Sequence, residues 1–330
     1  MEPIFQSGIA FITWLQGLGA WLVIPMKLFS FLGTEEFFLL ALPIIYWSVD
    51  AKAGLRVGTI LLLSGGLNDI LKLSFQGPRP YWLSTHLKAF APETSFGIPS
   101  GHAQIAASLW GLAASLVKRP WAYAAAVFII FMIGLSRLYL AAHFPHDVLV
   151  GWALGALVLW AFVHWWDAVA ARAKKKSPRQ QVGLAFVLSM AMLVSGVITF
   201  ASLHGWVMPA DWMANARQAG ADPLPAPVTL NNAITFAATL FGMLAGLVWT
   251  ESKGGYVSDG GFWQRGVRLL PGLAGLLIIY LGLRAIFPRG DSFVPYVLRY
   301  LRFALIGLWI SAGAPWLFMK LKLARSLKPM

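Results

Sequence analysis

The chain has 330 residues, 58% of them hydrophobic and 12% charged, with a mean hydropathy of +0.68. This excludes a soluble globular domain and points to a polytopic helical membrane protein, because uncharged runs of bilayer-spanning length recur along the chain. The absence of cysteine excludes thiolate metal sites, thiol nucleophiles and disulfides, and the net charge of +13 falls mostly between hydrophobic runs, a topological signal rather than a nucleic-acid-binding stripe.

The first apolar stretch, Ile9 to Met26, carries no charge, yet Gln6, Thr13, Ala20 and Lys27 recur along one side. It reads as an interfacial amphipathic helix, with a span as the alternative. No basic residue precedes Lys27, so a cleaved signal peptide is not expected. Nine spans follow by hydropathy, at about 36–49, 54–74, 101–117, 121–137, 147–167, 182–203, 231–250, 267–287 and 296–319. The expected fold is all-α, about nine transmembrane helices plus the N-terminal interfacial helix. Residues 1–330 form a single membrane domain, with a helical core at 36–167 and four additional spans at 182–320. Lys52, Arg56, Lys118, Arg119, the run from Arg172 to Arg179, Lys253, Arg265, Arg268 and Lys320 to Arg325 mark the loops on one side as cytoplasmic. The longest connection on the other side, His204 to Asn231, holds Pro209, Pro223, Pro225 and Pro227 and reads as an irregular cap.

Three polar clusters interrupt this apolar pattern: Lys72 to Pro80, Phe96 to His102, and Ser136 to Asp147. All three fall on the non-cytoplasmic side, which marks them as one site. A phosphate group needs fixed positive donors, a nucleophile opposite the leaving oxygen, and an acid to protonate that oxygen. Lys72 closes the second span, Arg79 follows across Gly77 and Pro78, and Arg137 ends the fourth; two guanidinium forks and one ammonium suit three phosphoryl oxygens. Pro99-Ser100-Gly101-His102 stands where the third span begins, so free backbone N–H groups make an anion cradle with Ser100 and Gly101; Ser100 as a plain N-cap is the alternative. His143, Pro145, His146 and Asp147 open the fifth span, where Asp147 can hold one ring nitrogen of His143 and leave the other as base or nucleophile. His102 can then give a proton from the opposite side. Metal ligation by His102, His143, His146 and Asp147 is the rival use, set against the surrounding Lys72, Arg79 and Arg137.

Lys-x6-Arg-Pro, Pro-Ser-Gly-His and Ser-Arg-x5-His-x3-Asp, in that order, resemble the three-part signature of the type 2 phosphatidic acid phosphatase superfamily, which includes lipid phosphatases, glucose-6-phosphatase and vanadium haloperoxidases. The resemblance implies that Lys72, Arg79, Arg137, Ser100 and Gly101 bind phosphate. It implies that His143 is the nucleophile forming a phosphohistidine, Asp147 its orienting partner and His102 the acid, with no metal or other cofactor. The stretch Gln76 to Trp82, the stretch Ser136 to His146 and the nine-span plan look closer to glucose-6-phosphatase than to short bacterial lipid phosphatases, and the whole chain resembles a group of bacterial membrane phosphatases.

The leading expectation is an integral membrane phosphatase acting on a lipid phosphate, such as phosphatidic acid, phosphatidylglycerol phosphate or a polyprenyl diphosphate. It would sit in a bacterial inner membrane with its site toward the periplasm or cell exterior. A soluble sugar phosphate, transfer to an acceptor other than water, and a non-catalytic phosphate-binding transporter or scaffold are the alternatives. The expected partners are a phosphorylated lipid or small phosphate ester and membrane lipids, with no nucleic acid; oligomeric state is not legible. Asn68 and Asp69 lie a turn before Lys72, where Asp69 can pair with Lys72 three residues on; helix-helix contact is the alternative. Glu93, in the loop before the Ser100 turn, reads as a solvated acid, with ordering of that turn as the alternative, and Arg299 and Arg302 read as interfacial anchors or a second phosphate or headgroup contact.

Overall fold

The computed structural model describes residues 2–327. The helices are α1 Pro3–Gly17, α2 Val23–Phe31, α3 Glu35–Ile44, α4 Ala51–Phe75, α5 Pro80–Leu83, α6 Gly101–Val117, α7 Pro120–Tyr139, α8 Pro145–Lys174, α9 Pro178–Ala201, α10 Ala210–Gln218, α11 Asn231–Ser252, α12 Phe262–Val267, α13 Leu269–Leu277, α14 Leu283–Ile286, α15 Phe293–Leu308 and α16 Ala314–Lys320. Wider π-turns follow α3, α13 and α15 at Ile45–Val49, Ile278–Gly282 and Trp309–Gly313. Among the described residues the fold is all-helical apart from one isolated bridge, Val257 with Arg325.

Among the described residues, seven stretches are long and apolar enough to cross a bilayer: Ala51–Leu83, Pro120–Tyr139, Pro145–Lys174, Pro178–Ala201, Asn231–Ser252, Phe262–Ile286 and Phe293–Lys320. The other two expected spans coincide with α3 plus its π-turn and with α6. Both are short: α6 has 17 residues, which at about 1.5 Å of rise each falls just under the roughly 30 Å hydrocarbon thickness. The N-terminal stretch is broken rather than continuous. α1 and the segment Ala20–Phe31 meet at 92°, turning at Leu18 and Gly19, so the pair counts as an eighth span only if both arms are taken together.

The chain divides into two compact units. The first holds Met1–Phe37, Leu67–Ala161 and Ile198–Thr229; the second holds Phe38–Gly66, Phe162–Val197 and Leu230–Met330. The division cuts across the 36–167 and 182–320 ranges read from sequence. In the first unit α6 and α7 form an antiparallel hairpin with α2 against α7, and Leu15, Met26, Ala103, Leu138, Tyr139, Leu140 and Val148 make a continuous buried cluster. Gln16 ties α1 to two carbonyls, those of Lys88 (2.9 Å) and Tyr139 (3.0 Å). In the second unit α11 and α15 approach backbone to backbone: a Cβ on Gly242 would lie 1.9 Å from the Ala304 carbonyl, so only glycine permits this packing. Arg268, counted above as a cytoplasmic loop charge, is instead fully buried and donates to the carbonyls of Trp47, Ser258, Asp259 and Leu323. Its charge organises that unit's interior.

Candidate active site

Every sequence-predicted site residue lies in the first unit, and hydrogen bonds stitch the three clusters together. Lys72 stands in the last turn of α4, its ammonium buried and donating to Ser95 Oγ (3.1 Å) and to the Phe96 carbonyl (2.9 Å). Arg79, the N-cap residue of α5, is fully buried and reaches the same two acceptors through Nη2, at 3.0 Å each. Its Nε donates to the Ser95 carbonyl and its Nη1 to the Ala142 carbonyl, both at 2.7 Å. The turn after α4 thus folds the arginine back toward the lysine, and Ser95, which sequence reasoning passed over, joins them.

Ser100 is the N-cap of α6: its hydroxyl accepts from the Ala103 N–H (3.4 Å) and its own N–H donates to the Asp147 carbonyl (3.0 Å). Ser100 thus caps α6, and the backbone bond locks the start of α6 to the start of α8. The first-turn N–H groups of α6 face out of the helix, as helix starts require. Gly101 lets this turn close, since a Cβ there would stand 2.9 Å from Asn68 Oδ1. Asn68 in turn donates to the Pro99 carbonyl (3.3 Å) and to Gln104 Oε1 (2.9 Å), so it supports the turn.

His143 is fully buried, with Nε2 3.4 Å from Arg79 Nη1. A guanidinium can only donate, so Nε2 is the lone-pair nitrogen and the proton sits on Nδ1. That Nδ1 faces Asp147 Oδ2 at 3.5 Å, an ion-pair distance that is too long and bent for a hydrogen bond. Asp147 Oδ2 accepts from the Phe144 N–H at 2.8 Å, and its Oδ1 lies 3.3 Å from His146 Nε2. His146 stacks on Phe144 with ring centres 5.4 Å apart. Burial, and then the Arg79 charge, hold the His143 imidazole well below the ordinary histidine range, which favours the neutral ring.

Glu93 is the residue that sequence reasoning misjudged. Its Oε2 accepts from Arg79 Nη2 at 2.7 Å, its Oε1 accepts from Arg137 Nη2, and the same Oε1 lies 3.7 Å from His102 Nδ1. It is therefore not a free solvated acid but the counter-ion of the basic cluster. Burial alone would raise its carboxyl, but Arg79 and Arg137, with His102 and Lys72 behind them, hold it well below the usual carboxylate range. Arg137, in the last turn of α7, also donates to Ser30 Oγ at 2.6 Å, while its Nε is buried without a partner. The Glu93 and His102 side chains keep 25% and 19% exposure while Arg79, Arg137, His143 and Asp147 keep almost none, so the cluster opens on the Glu93 and His102 side.

The Glu93 loop is held from outside. Tyr81 exchanges two 3.0 Å bonds with the Glu93 backbone, Ala226 N–H donates to the Thr94 carbonyl (3.0 Å), and Asn215 on α10 donates to the Trp82 carbonyl (3.0 Å). The connection from His204 to Asn231 thus contains a helix and braces this loop. Among the described residues no group of three or more His, Cys, Asp or Glu is gathered as a metal ion needs. The arrangement offers clustered cations, a buried neutral imidazole whose lone pair faces Arg79, and a second imidazole at the opening, a set suited to phosphoryl transfer.

Residues 53–171 match the family model described as PAP2 superfamily, and residues 234–326 match the one described as PAP2 superfamily phosphatase, transmembrane extension. Human glucose-6-phosphatase 3 is 31% identical over 185 residues, covering 48% of this chain and 53% of the relative; the chain spans about half the length of that relative. Human glucose-6-phosphatase 2 is 25% identical over 307 residues, covering 82% of this chain and 85% of the relative. A solved structure, a transmembrane PAP2-type phosphatidylglycerolphosphate phosphatase from Bacillus subtilis, is 26% identical, with a TM-score of 0.43, and covers 51% of this chain and 89% of that one.

Proposed function

The chain belongs to the PAP2 superfamily, and from that membership we propose that it is a metal-independent membrane phosphatase working through a phosphohistidine on His143. The observation that carries this reading is the His143 ring: neutral, with Nε2 turned toward Arg79 and Nδ1 toward Asp147. In the first half-reaction Nε2 attacks phosphorus, the bond to the leaving oxygen breaks, and His102 gives that oxygen its proton. Asp147 stabilises the imidazolium character that develops on His143. In the second, His102 takes a proton from water, the water oxygen bonds to phosphorus, the P–N bond breaks and inorganic phosphate leaves. Arg79, Arg137 and Lys72, with the α6 start at Ser100 and Gly101, hold the phosphoryl oxygens throughout.

The substrate proposed is a phosphate monoester or diphosphate on a lipid, met at the non-cytoplasmic face of the membrane, in a bacterium the periplasmic or outer face. The apolar outer side of α1 supports this. Ile4, Phe11 and Trp14 are exposed there, while Phe5 of the same helix packs against Phe144 (5.1 Å) and His146 (5.7 Å) beside the nucleophile. A second reading, a soluble sugar phosphate, is favoured by the likeness to glucose-6-phosphatase 2 over 82% of the chain. Phosphate release from phosphatidic acid and from glucose 6-phosphate, measured in one detergent, tests both. A faster rate on the lipid supports the first reading, a faster rate on the sugar supports the second, and release from neither, nor from lipid diphosphates, refutes both.

A further inference from the structure

Four arginines of the second unit converge on a cavity that the chemistry above does not use. Arg284 of α14, Arg289 of the following loop, and Arg299 and Arg302, one turn apart on α15, line about 410 Å³ together with Asp291. That volume lies within the roughly 300–1,000 Å³ of small-ligand sites. The α15 pair is held in place rather than splayed into solvent. The Arg302 guanidinium sits 4.9 Å from the Phe303 ring centre and 5.7 Å from that of Tyr280, and the Arg299 guanidinium sits 5.2 Å from Phe303. Arg299 Nε donates to the Asn231 carbonyl (2.9 Å) and to Thr235 Oγ1 (3.1 Å), and the residue lines the cavity.

Charge in this cavity is one-sided. Asp291 accepts from the Tyr296 hydroxyl at 3.3 Å, and among the described residues no carboxylate lies within ion-pair distance of any of the four arginines. Arg302 Nε is also buried without a hydrogen-bond partner. Four cations gathered against one anion repel one another unless an external anion joins them. The candidate spans Phe262–Ile286 and Phe293–Lys320 end and begin on either side of this loop, with Ile286 and Phe293 exposed beside it, so the cavity sits where an apolar surface meets water. Forked guanidinium groups at headgroup depth match phosphate oxygens, and basic pockets between membrane helices suit anionic headgroups.

We propose that this cavity is a second anion site, which binds the phosphate of an anionic phospholipid headgroup or free phosphate. The test is native mass spectrometry of the detergent-solubilised full chain with dioleoylphosphatidylglycerol, a phosphodiester, and separately with inorganic phosphate as competitor. Two paired variants are compared with the parent: Arg299→Gln with Arg302→Gln, and, because Arg299 also ties α15 to α11, the exposed pair Arg284→Gln with Arg289→Gln. The expected result is lipid retained by the parent and weakened at least about tenfold in each pair, as two charge-assisted contacts are lost. Lipid that resists inorganic phosphate assigns a headgroup. Inorganic phosphate bound by the parent and lost in both pairs assigns free phosphate. Equal binding by the parent and the Arg284/Arg289 variant, or no binding of either probe, overturns the proposal.

Discussion

Arg79 Nη2 donates to Glu93 Oε2 at 2.7 Å, and the carboxylate that receives it also receives Arg137. The two guanidinium groups assigned to phosphate are thus bridged by an internal anion, and an incoming phosphate must take these donors from Glu93. Glu93→Gln should therefore tighten inhibition by vanadate or phosphate by about tenfold, the worth of one charge-assisted contact. It should also lower stability by about 3 kcal/mol, because two buried arginines lose their counter-ion. An inhibition constant unchanged from the parent would show that Glu93 does not compete with phosphate.

Asp147 is shared between the Phe144 N–H and two histidines, yet its ring partner His143 stands at 3.5 Å. Asp147→Asn preserves the Phe144 bond and removes the charge that favours a developing imidazolium. The turnover number should fall by about 10²- to 10⁴-fold while thermal stability changes little. A loss of folding with turnover intact in the folded fraction would instead make Asp147 purely structural.

Acid should destabilise the protein in two steps. His143 and Glu93 both have folded-state values below their unfolded ones, so in each case the unfolded chain binds the proton first. Stability is then full above the unfolded value and falls as pH drops through the window beneath it. For His143 that window opens near pH 6.5, and for Glu93 near pH 4.5. Thermal unfolding followed from pH 8 downward should show the first decline in the parent and a smaller one in His143→Gln; an identical decline in both would place the responsible proton elsewhere.

Vanadate takes up the five-coordinate geometry of phosphoryl transfer and should inhibit competitively with substrate. Prolonged chelation should leave the rate unchanged. A rate abolished by chelator and restored by a divalent cation would return the histidines to a metal-binding role.

Much of the candidate site is legible in the sequence because each part carries its own local pattern. Lys72 and Arg79 flank a Gly-Pro turn, Ser100 stands at a helix start, and His143 and Asp147 share one helical turn of spacing. Glu93 has no such pattern: its partners lie 14 and 44 positions away, and a single loop acid looks the same whether solvated or bridging two arginines. Ser30, 107 positions from Arg137, was hidden for the same reason. Composition tells of membrane helices but not of where they bend, so the 92° turn at Leu18 and Gly19 leaves no signal in it. Arg268 shows a further limit, since the loop-charge rule cannot distinguish a solvated cation from one that gathers buried carbonyls.

The central claim is that phosphate passes through His143, and rapid quenching into alkali during turnover of a labelled substrate, followed by peptide mapping, tests it most directly. The expected result is an acid-labile, alkali-stable phosphoryl group on the peptide carrying His143, formed at the rate of turnover and absent in His143→Ala. Sustained phosphate release with no phosphorylated histidine, or with the label on His102, would contradict it.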